Sequence, residues 1–404
     1  MTLLAGFRLV ELSAFVAAPL GGTTLAELGA DVVRIDPPGG PADHGRWPLH
    51  QGKSLYWAGL NRGKRSVAID VRSERGRALV TDLISAAGAC LTNLPLGSWA
   101  SHAELSVKRP DLIMVQLTGG PDGSAAVDYT VNAAVGFPWV TGPESWDGPV
   151  GHVLPAWDVG AGYLAALALV SADRHRLRTG EGQLVRLSLF DVAASVASHL
   201  GLLAEAQLTE EPRRRYGDHV YGTFGRDFRT KDGRHLIVIA LTPRQWEDLV
   251  QATGLATGVE ALERRHDADL TREGDRFRYR EEICALLEPW FTARDFTDVA
   301  AALNARHVLW GPYQTFKELV SRDSRWTANP MVAALDQPGI GQHLAAASPL
   351  LFSRAERLPP RPAPQHGEHT ADVLRSWLGL AGPEVAQLER DGIIRTLDPG
   401  SGRV

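Results

Sequence analysis

Short apolar stretches alternate with longer amphipathic ones through the first half of the chain. The pattern predicts strands at 7–12, 31–35, 66–70, 89–92 and 112–117, with helices at 19–28 and 74–87 between them. Strands that alternate with helices in this way are typical of a parallel sheet covered on both faces. We therefore expect an α/β fold whose large, doubly wound, Rossmann-like domain occupies residues 1–208.

The pattern changes after residue 208. A polar, basic stretch at 209–222 predicts a linker, and apolar stretches on either side of Asp232-Gly233 indicate a hairpin. With the helical patterns that follow, these predict a small α+β domain over 223–329. Residues 330–369, rich in Pro and Gly, predict an extended return strap, and residues 370–404 predict C-terminal helices that pack on the large domain.

Composition agrees with two domains and excludes several classes of function. The chain has 404 residues, more than the roughly 250–300 that one hydrophobic core supports. A net charge of −5 gives no basic footprint for nucleic acid. The two cysteines lack metal-ligand spacing, and no signal peptide or apolar run of about 18 residues predicts export or a membrane span. We expect a cytoplasmic protein without a bound metal.

One segment, from His152 to Asp191, places an acid in an unusual position. Asp158 precedes Gly160-Ala161-Gly162, predicted as a small-residue turn, and then a long apolar helix. An Asp there is either an N-cap that accepts hydrogen bonds from the first helical turn, or a partly desolvated catalytic carboxylate. The residues by themselves leave both readings open.

The order of features in this segment resembles the nucleophile region of the class III CoA-transferases, the family of formyl-CoA and carnitine CoA-transferases. The acid, the apolar helix, the turn Thr179-Gly180-Glu181-Gly182-Gln183 and the following strand occur in the family's order. Segments at 6–11, 25–36 and 61–66 and the late Gly367-Glu368-His369-Thr370 extend the resemblance over nearly the whole chain. It implies an enzyme that acts on an acyl-CoA as an interlocked homodimer, without a cofactor.

The resemblance also implies roles for two acids. Asp158 corresponds to the nucleophile that attacks the thioester, and Asp128 to an acid that orients it; the alternative for Asp128 is a turn residue before a helix. Related acyl-CoA racemases carry a histidine where this chain has Val127. Because valine cannot exchange a proton, the racemase alternative is disfavoured.

CoA contacts follow from the resemblance as well. They are Phe15, Val16 and Ala17 along the pantetheine arm, Ile69 and Arg72 at the adenine and phosphate end, and Asn93 with Leu94. Three positions depart from the family: Val16 replaces a glutamine, and Pro37 and Ser101 replace cations. We therefore expect Lys64 or Arg65 to contact the phosphates instead.

These departures favour one subgroup, which moves CoA between the two carboxyl groups of a single mesaconate. Such a reaction admits no second substrate, and no run of glycines for a closing loop occurs at 220–241. Arg46 and His50, in the long loop 37–53, are candidates to hold the dicarboxylate, unless they are simply exposed loop residues. An intermolecular transferase is the alternative, and a catalytically silent CoA-binding protein is disfavoured because Asp158 is intact.

Overall fold

The computed structural model describes residues 2–397, so Met1 and residues 398–404, which the predicted terminal domains include, lie outside the described residues. The chain forms two units. The first contains the described residues of Met1–Val135, His152–Gln207 and Ser324–Val404; the second contains Gly136–Gly151 and Leu208–Asp323. The segment Gly136–Gly151 thus groups with the second unit, and the domain boundaries given above stay predictions.

The strands, in chain order, are β1 (Arg8–Leu12), β2 (Asp31–Asp36), β3 (Leu49–His50), β4 (Lys53–Ser54), β5 (Arg65–Ile69), β6 (Ala89–Thr92), β7 (Ile113–Thr118), β8 (Gln183–Ser188), β9 (Phe224–Arg229), β10 (His235–Ala240), β11 (Leu309–Pro312), β12 (Val332–Gln337), β13 (Gly341–Ala346) and β14 (Ile394–Arg395).

The helices are α1 (Ala17–Glu27), α2 (Leu55–Leu60), α3 (Glu74–Ala87), α4 (His102–Lys108), α5 (Asp128–Ala134), α6 (Phe137–Val140), α7 (Ala156–Thr179), α8 (Leu189–His199), α9 (Leu202–Leu208), α10 (Pro243–Thr253), α11 (Ala256–His266), α12 (Glu273–Arg278), α13 (Arg280–Thr292), α14 (Phe296–Ala305), α15 (Phe316–Arg322), α16 (Ser324–Thr327), α17 (Thr370–Leu378) and α18 (Gly382–Arg390).

The large sheet of the first unit is parallel except at one edge. Its order is β14-β5-β2-β1-β6-β7-β8, and only β14 pairs in the antiparallel sense. Counted along the chain, the six parallel strands follow the Rossmann order 3-2-1-4-5-6. The predicted α/β fold with a large parallel sheet is confirmed. The strand order reverses between β1 and β6, where ligands of such sheets bind beyond the carboxyl ends of the strands.

The central strands are buried along nearly their whole length because helices cover the sheet. Val10 and Val33 are fully buried, and Leu83 of α3 packs in the same core. Ile69, at the end of β5, belongs to this core and is 0% exposed. The continuous burial explains why the sequence signal for these strands is strong.

Two helices of the first unit, α1 and α7, approach each other through glycines. A Cβ atom at Gly162 would lie 2.8 Å from the carbonyl oxygen of Ala17, and one at Gly21 would lie 3.1 Å from that of Gly162. Only glycine permits such close backbone approach. The contact places the first turn of α1, which begins just beyond the carboxyl end of β1, beside Gly162, one helical turn after Asp158 in α7.

The second unit contains a three-stranded antiparallel sheet in the order β11-β10-β9. The predicted hairpin is confirmed: β9 and β10 pair in the antiparallel sense, and Gly233 in the connecting turn has a φ of +81°. The core of this unit includes Phe228 and Phe291, whose rings stack with centroids 4.2 Å apart.

Two predicted features differ in the structure. The apolar stretch 191–208, whose pattern predicts a single helix, instead forms α8 and α9, which meet at 68° near Gly201, where φ is +76°. Within the described residues, no single helix is long and apolar enough to cross a membrane, and α8 with α9 passes such a test only as a bent pair, by length and composition. The strap contains a hairpin of β12 and β13, which turns at Pro338-Gly339.

Candidate active site

Asp158 lies in the first turn of α7, at its third residue. The helix begins after Pro155, so both the N-cap reading of Asp158 and the predicted small-residue turn at Gly160-Ala161-Gly162 are wrong: those three residues lie inside the helix. Gly162 instead serves the contact with α1. In the part of the chain that the structure describes, no hydrogen bond ends on the Asp158 carboxylate.

Asp128 performs the capping role that Asp158 does not. Its Oδ2 accepts hydrogen bonds from the backbone N–H groups of Trp157, at 2.7 Å, and Asp158, at 3.1 Å. The residue is 1% exposed, and its Oδ1 atom has no hydrogen-bond partner among the described residues. A carboxylate at a helix N-terminus satisfies orphan amides and is stabilised by the helix dipole. Asp128 therefore fixes the backbone of the turn that carries Asp158.

The surroundings of Asp158 disfavour its charge. Burial raises the pKa of Asp158 from the ordinary 3.8 to about 6; the negative charge of Asp128 adds to this increase, and the Arg46 cation opposes it. At neutral pH the carboxylate is still mostly ionised. Partial desolvation makes an ionised carboxylate a stronger nucleophile than it is in water.

Arg46 lies between two aromatic rings. Its guanidinium carbon is 5.4 Å from the ring centre of Phe15 and 5.2 Å from that of Tyr56. Burial raises the pKa of Tyr56 to about 12, with Arg46 opposing and Asp158 adding to the increase. The Tyr56 hydroxyl therefore remains a protonated donor. The sequence analysis missed this residue, because a single tyrosine at the start of a short helix carries no recognisable signal.

The loop after β1 is held in an uncommon conformation. Phe15 has a φ of +66°, rare for a bulky residue, and is 44% exposed. Val16 and Ala17, which begin α1, are 8% and 3% exposed, so they offer mainly backbone to a ligand. The Asn93 side chain accepts from the Ala14 N–H at 2.9 Å and donates to the Ala14 carbonyl at 2.8 Å. Asn93, which directly follows β6, thus holds the loop that follows the neighbouring strand β1.

The other candidate residues are more scattered. Ile69 has no exposed surface, so the expected contact with adenine is not available to it and that expectation is wrong. The Arg72 side chain is 88% exposed and pairs with Asp70 at 2.8 Å, whereas Leu94 is half-buried. His50 is exposed on β3, and no hydrogen bond or ion pair of the described residues joins it to Asp158.

Lys64 is buried inside the protein and is not accessible to a ligand. Its ammonium is fully buried and pairs with Glu11 at 2.8 Å, and it also donates to the Pro19 carbonyl. Burial lowers the pKa of Lys64 to about 8, although Glu11 opposes the decrease. The expectation that Lys64 contacts the CoA phosphates is therefore wrong. Arg65 is paired with Asp31 at 3.1 Å.

The cations Lys53 and Arg395 line a cavity of about 490 Å³ in the first unit, beside two histidines whose pKa values are lowered by burial. Its lining includes His44, Lys53, His366 and Arg395, together with Trp57. Among the residues that the structure describes, no acidic side chain lines it. Among the described residues, no group of three or more His, Cys, Asp or Glu side chains is placed to hold a metal ion.

Comparison with known proteins gives a consistent result. The sequence profile of CoA-transferase family III matches residues 4–370. The 2-methylfumaryl-CoA isomerase of Chloroflexus aurantiacus is 51% identical over 97% of this chain and 98% of its own length. Succinyl-CoA–D-citramalate CoA-transferase of the same organism is 27% identical over 96% and 97%. A crystal structure of a CAIB/BAIF family protein from Brucella suis matches with a TM-score of 0.77 at 27% identity, covering 93% of this chain and 99% of that one.

Proposed function

The chain belongs to CoA-transferase family III and is an enzyme of that family, and we propose that it moves CoA between the two carboxyl groups of one mesaconate. The reaction converts 2-methylfumaryl-CoA into 3-methylfumaryl-CoA. The relative named for this isomerisation, at 51% identity over almost the full length of both chains, supports the proposal. The geometry of the first turn of α7 supports this chemistry most directly. Asp128 accepts the hydrogen bonds of the Trp157 and Asp158 amides, so the Asp158 carboxylate makes none among the described residues and is available to react.

In the first half of the proposed reaction, Asp158 is the nucleophile. Its carboxylate attacks the thioester carbonyl, the C–S bond breaks, and a mixed anhydride and CoA thiolate result. The thiolate then attacks the aspartyl carbonyl of the anhydride. This step releases mesaconate as a carboxylate and leaves CoA as a thioester on Asp158.

In the second half, mesaconate turns within the site and presents its other carboxylate. That carboxylate attacks the aspartyl thioester, and CoA thiolate leaves again. The thiolate attacks the substrate carbonyl of the new anhydride, which forms 3-methylfumaryl-CoA and restores the Asp158 carboxylate. No redox change or net proton transfer occurs, so we propose no cofactor.

The retained dicarboxylate needs polar partners, for which Arg46 and Tyr56 are suited. A guanidinium forms strong, charge-assisted hydrogen bonds with a carboxylate, and the protonated Tyr56 hydroxyl is a further donor. His50 remains a candidate to bind the dicarboxylate, because it lies in the loop 37–53 together with Arg46. The backbone N–H groups of Gly160-Ala161-Gly162 are engaged in the helix. We infer that the oxyanion is stabilised by the first-turn amides of Ala17 and Ala18 in α1, which have no acceptor among the described residues.

The proposed CoA site lies where the strand order reverses. The pantetheine arm would follow Phe15, Val16 and Ala17, with Asn93 holding that loop. The phosphates would meet the exposed Arg72 and the cations of the cavity rather than Lys64. We also propose a homodimer in the cytoplasm, without nucleic-acid or membrane partners.

A single incubation tests the isomerisation. Purified protein is mixed with 2-methylfumaryl-CoA and no other carboxylic acid, and the two CoA esters are separated by liquid chromatography. Conversion is expected. If conversion required an added carboxylate, the intermolecular transferase would be the correct assignment.

Retention of the acid is tested in the same assay. Isotope-labelled mesaconate in excess should enter the product far more slowly than isomerisation proceeds. Label incorporation at the rate of isomerisation would contradict retention.

The nucleophile is tested by trapping. Hydroxylamine treatment during turnover, followed by peptide mass spectrometry, should modify Asp158. Asp191 is the matched control, because it also occupies the third position of its helix, α8, but is exposed. Modification of Asp191, or turnover above a few per cent in Asp158→Ala, would contradict the assignment.

A further inference from the structure

A buried arginine connects β2 with the loop that follows it. Arg34 is 1% exposed. Its guanidinium donates to both carboxylate oxygens of Asp36, at 3.1 and 3.0 Å, and to Oδ1 of Asp43 at 3.0 Å. A buried cation is stable only when acids and hydrogen bonds compensate for lost hydration. The Asp43 carboxylate is thus fixed in position by a rigid strand.

The second oxygen of Asp43 reaches the loop after β1. Its Oδ2 atom accepts a hydrogen bond from the Phe15 N–H at 2.8 Å. A left-handed conformation such as that of Phe15 is strained for a bulky residue and persists only where surrounding contacts impose it. Asp43, 1% exposed, supplies such a contact from one side, and Asn93 holds the preceding residue from the other.

Asp43 also begins the turn that carries Arg46. The Arg46 N–H donates to the Asp43 carbonyl at 3.2 Å, and the Arg46 carbonyl accepts from the hydroxyl of Ser54, the N-cap of α2. The backbone of Arg46 is therefore held at both ends. Its guanidinium lies over the rings of Phe15 and Tyr56.

We propose that Asp43 is a positioning residue for the reaction at Asp158: pinned by Arg34, it fixes the Phe15 backbone and holds Arg46 beside the nucleophile. Asp43 touches neither the substrate nor the reacting atoms; it acts through the two residues that do. The inference rests on the proposed function in so far as Asp158 is the nucleophile. The buried network itself is independent of that assignment.

Hydrogen exchange tests whether Asp43 fixes the Phe15 backbone, and this test does not require an activity assay. In Asp43→Asn, one side-chain oxygen remains, and the charged guanidinium of Arg34 is the stronger donor for it. The new NH₂ group therefore faces the Phe15 N–H, which loses its acceptor. The Phe15 amide should therefore exchange at least tenfold faster than in the parent protein, measured by mass spectrometry of peptides that cover 13–17. Asp31→Asn is the matched control, because it breaks an Asp–Arg pair of the same sheet, with Arg65, and leaves the Phe15 loop untouched. Unchanged exchange in Asp43→Asn would overturn the proposal.

Kinetics test the link to the nucleophile. Asp43→Asn should lower kcat at least tenfold and move the acid limb of the pH profile to higher pH, because a displaced Arg46 no longer favours the Asp158 anion. Asp128, the other charged group that shifts the pKa of Asp158, is unchanged, and the neighbouring Tyr56 stays uncharged. A loss of folded protein would lower kcat without moving the limb, and that result would overturn the proposal. If the parent protein shows no isomerisation, the proposed function fails, while the exchange experiment still decides the role of Asp43.

A second background covers the case in which Asp43→Asn does not fold. Glycine adopts positive φ without cost, so Asp43→Asn in a Phe15→Gly background no longer has to hold a strained residue. The Asp43 change should therefore lower the midpoint of urea unfolding less in the Phe15→Gly background than in the parent, because only the disturbed Arg34 contact still costs stability there. An equal effect in both backgrounds would overturn the role assigned to Asp43.

Discussion

Replacing Asp158 by Asn should make the protein more stable at neutral pH while it abolishes turnover. The fold holds the pKa of Asp158 at about 6, against 3.8 for an ordinary Asp. Each pKa unit corresponds to about 1.4 kcal/mol, so ionised Asp158 destabilises the folded state by up to about 3 kcal/mol. Asparagine has nearly the same shape and no charge, and it removes this cost.

The stability gained by Asp158→Asn should depend on pH in a definite direction. A carboxyl with a raised pKa contributes stability that is fully present below pH 3.8 and is lost as the pH rises through about 6. The stability difference between Asp158→Asn and the parent should therefore be near zero at pH 4 and greatest above pH 7. Urea unfolding followed by circular dichroism at pH 4, 6 and 8 measures it.

Asp191→Asn provides the control for this measurement. Asp191 has the same position in its helix but is exposed, so its replacement should lose only the dipole interaction, about 0.3–1 kcal/mol. A destabilised Asp158→Asn at pH 8, or a gain that does not vary with pH, would refute the reasoning.

Further predictions concern the same site. In the parent, kcat/KM should fall about tenfold between pH 7 and pH 5, because the Asp158 anion is lost; a flat profile in stopped assays would contradict this. Arg46→Gln should move the acid limb to higher pH and raise KM, whereas Lys53→Gln, in the same loop, should leave the limb in place. Asp128→Asn should move the limb to lower pH and reduce kcat, since a negative charge beside Asp158 is removed; pH-rate profiles show whether it does. With Val127 in the position of the racemase base, a 2-methylacyl-CoA in deuterated water should gain no α-deuterium by mass spectrometry.

The parallel sheet was predictable because its strands are buried on both faces. Short stretches rich in Val, Leu and Ile, such as those of β1 and β2, are each followed by a helical pattern or a strand boundary, which leaves few alternatives. The hairpin at Asp232-Gly233 was predictable for a different reason, since that dipeptide is a strong local turn signal. By contrast, the break between α8 and α9 depends on one glycine in an apolar stretch, which a helix also tolerates.

The site was predictable only in outline. Spacing and resemblance selected Asp158 and Asp128, but the capping of α7 by Asp128 joins residues 29 and 30 positions apart. No local pattern contains such a contact. Likewise, nothing in the sequence around Lys64 indicates that this cation is paired. Its partners, Glu11 and the Pro19 carbonyl, belong to β1 and α1, more than 40 positions earlier in the chain. Tyr56 and Asp43 were missed because their partners come from other segments.

The glycine contact between α1 and α7 has a consequence for redesign. The separation between the Phe15 loop and Asp158 is set by two backbones in contact, so it does not depend on the side chains that line the pocket. Residues of the loop 37–53 other than Asp43 are therefore suitable sites for altering which acid is accepted, while the reach of the nucleophile stays constant. Conversely, a single methyl group at Gly162 would force the helices apart and spoil the reaction for every acid alike.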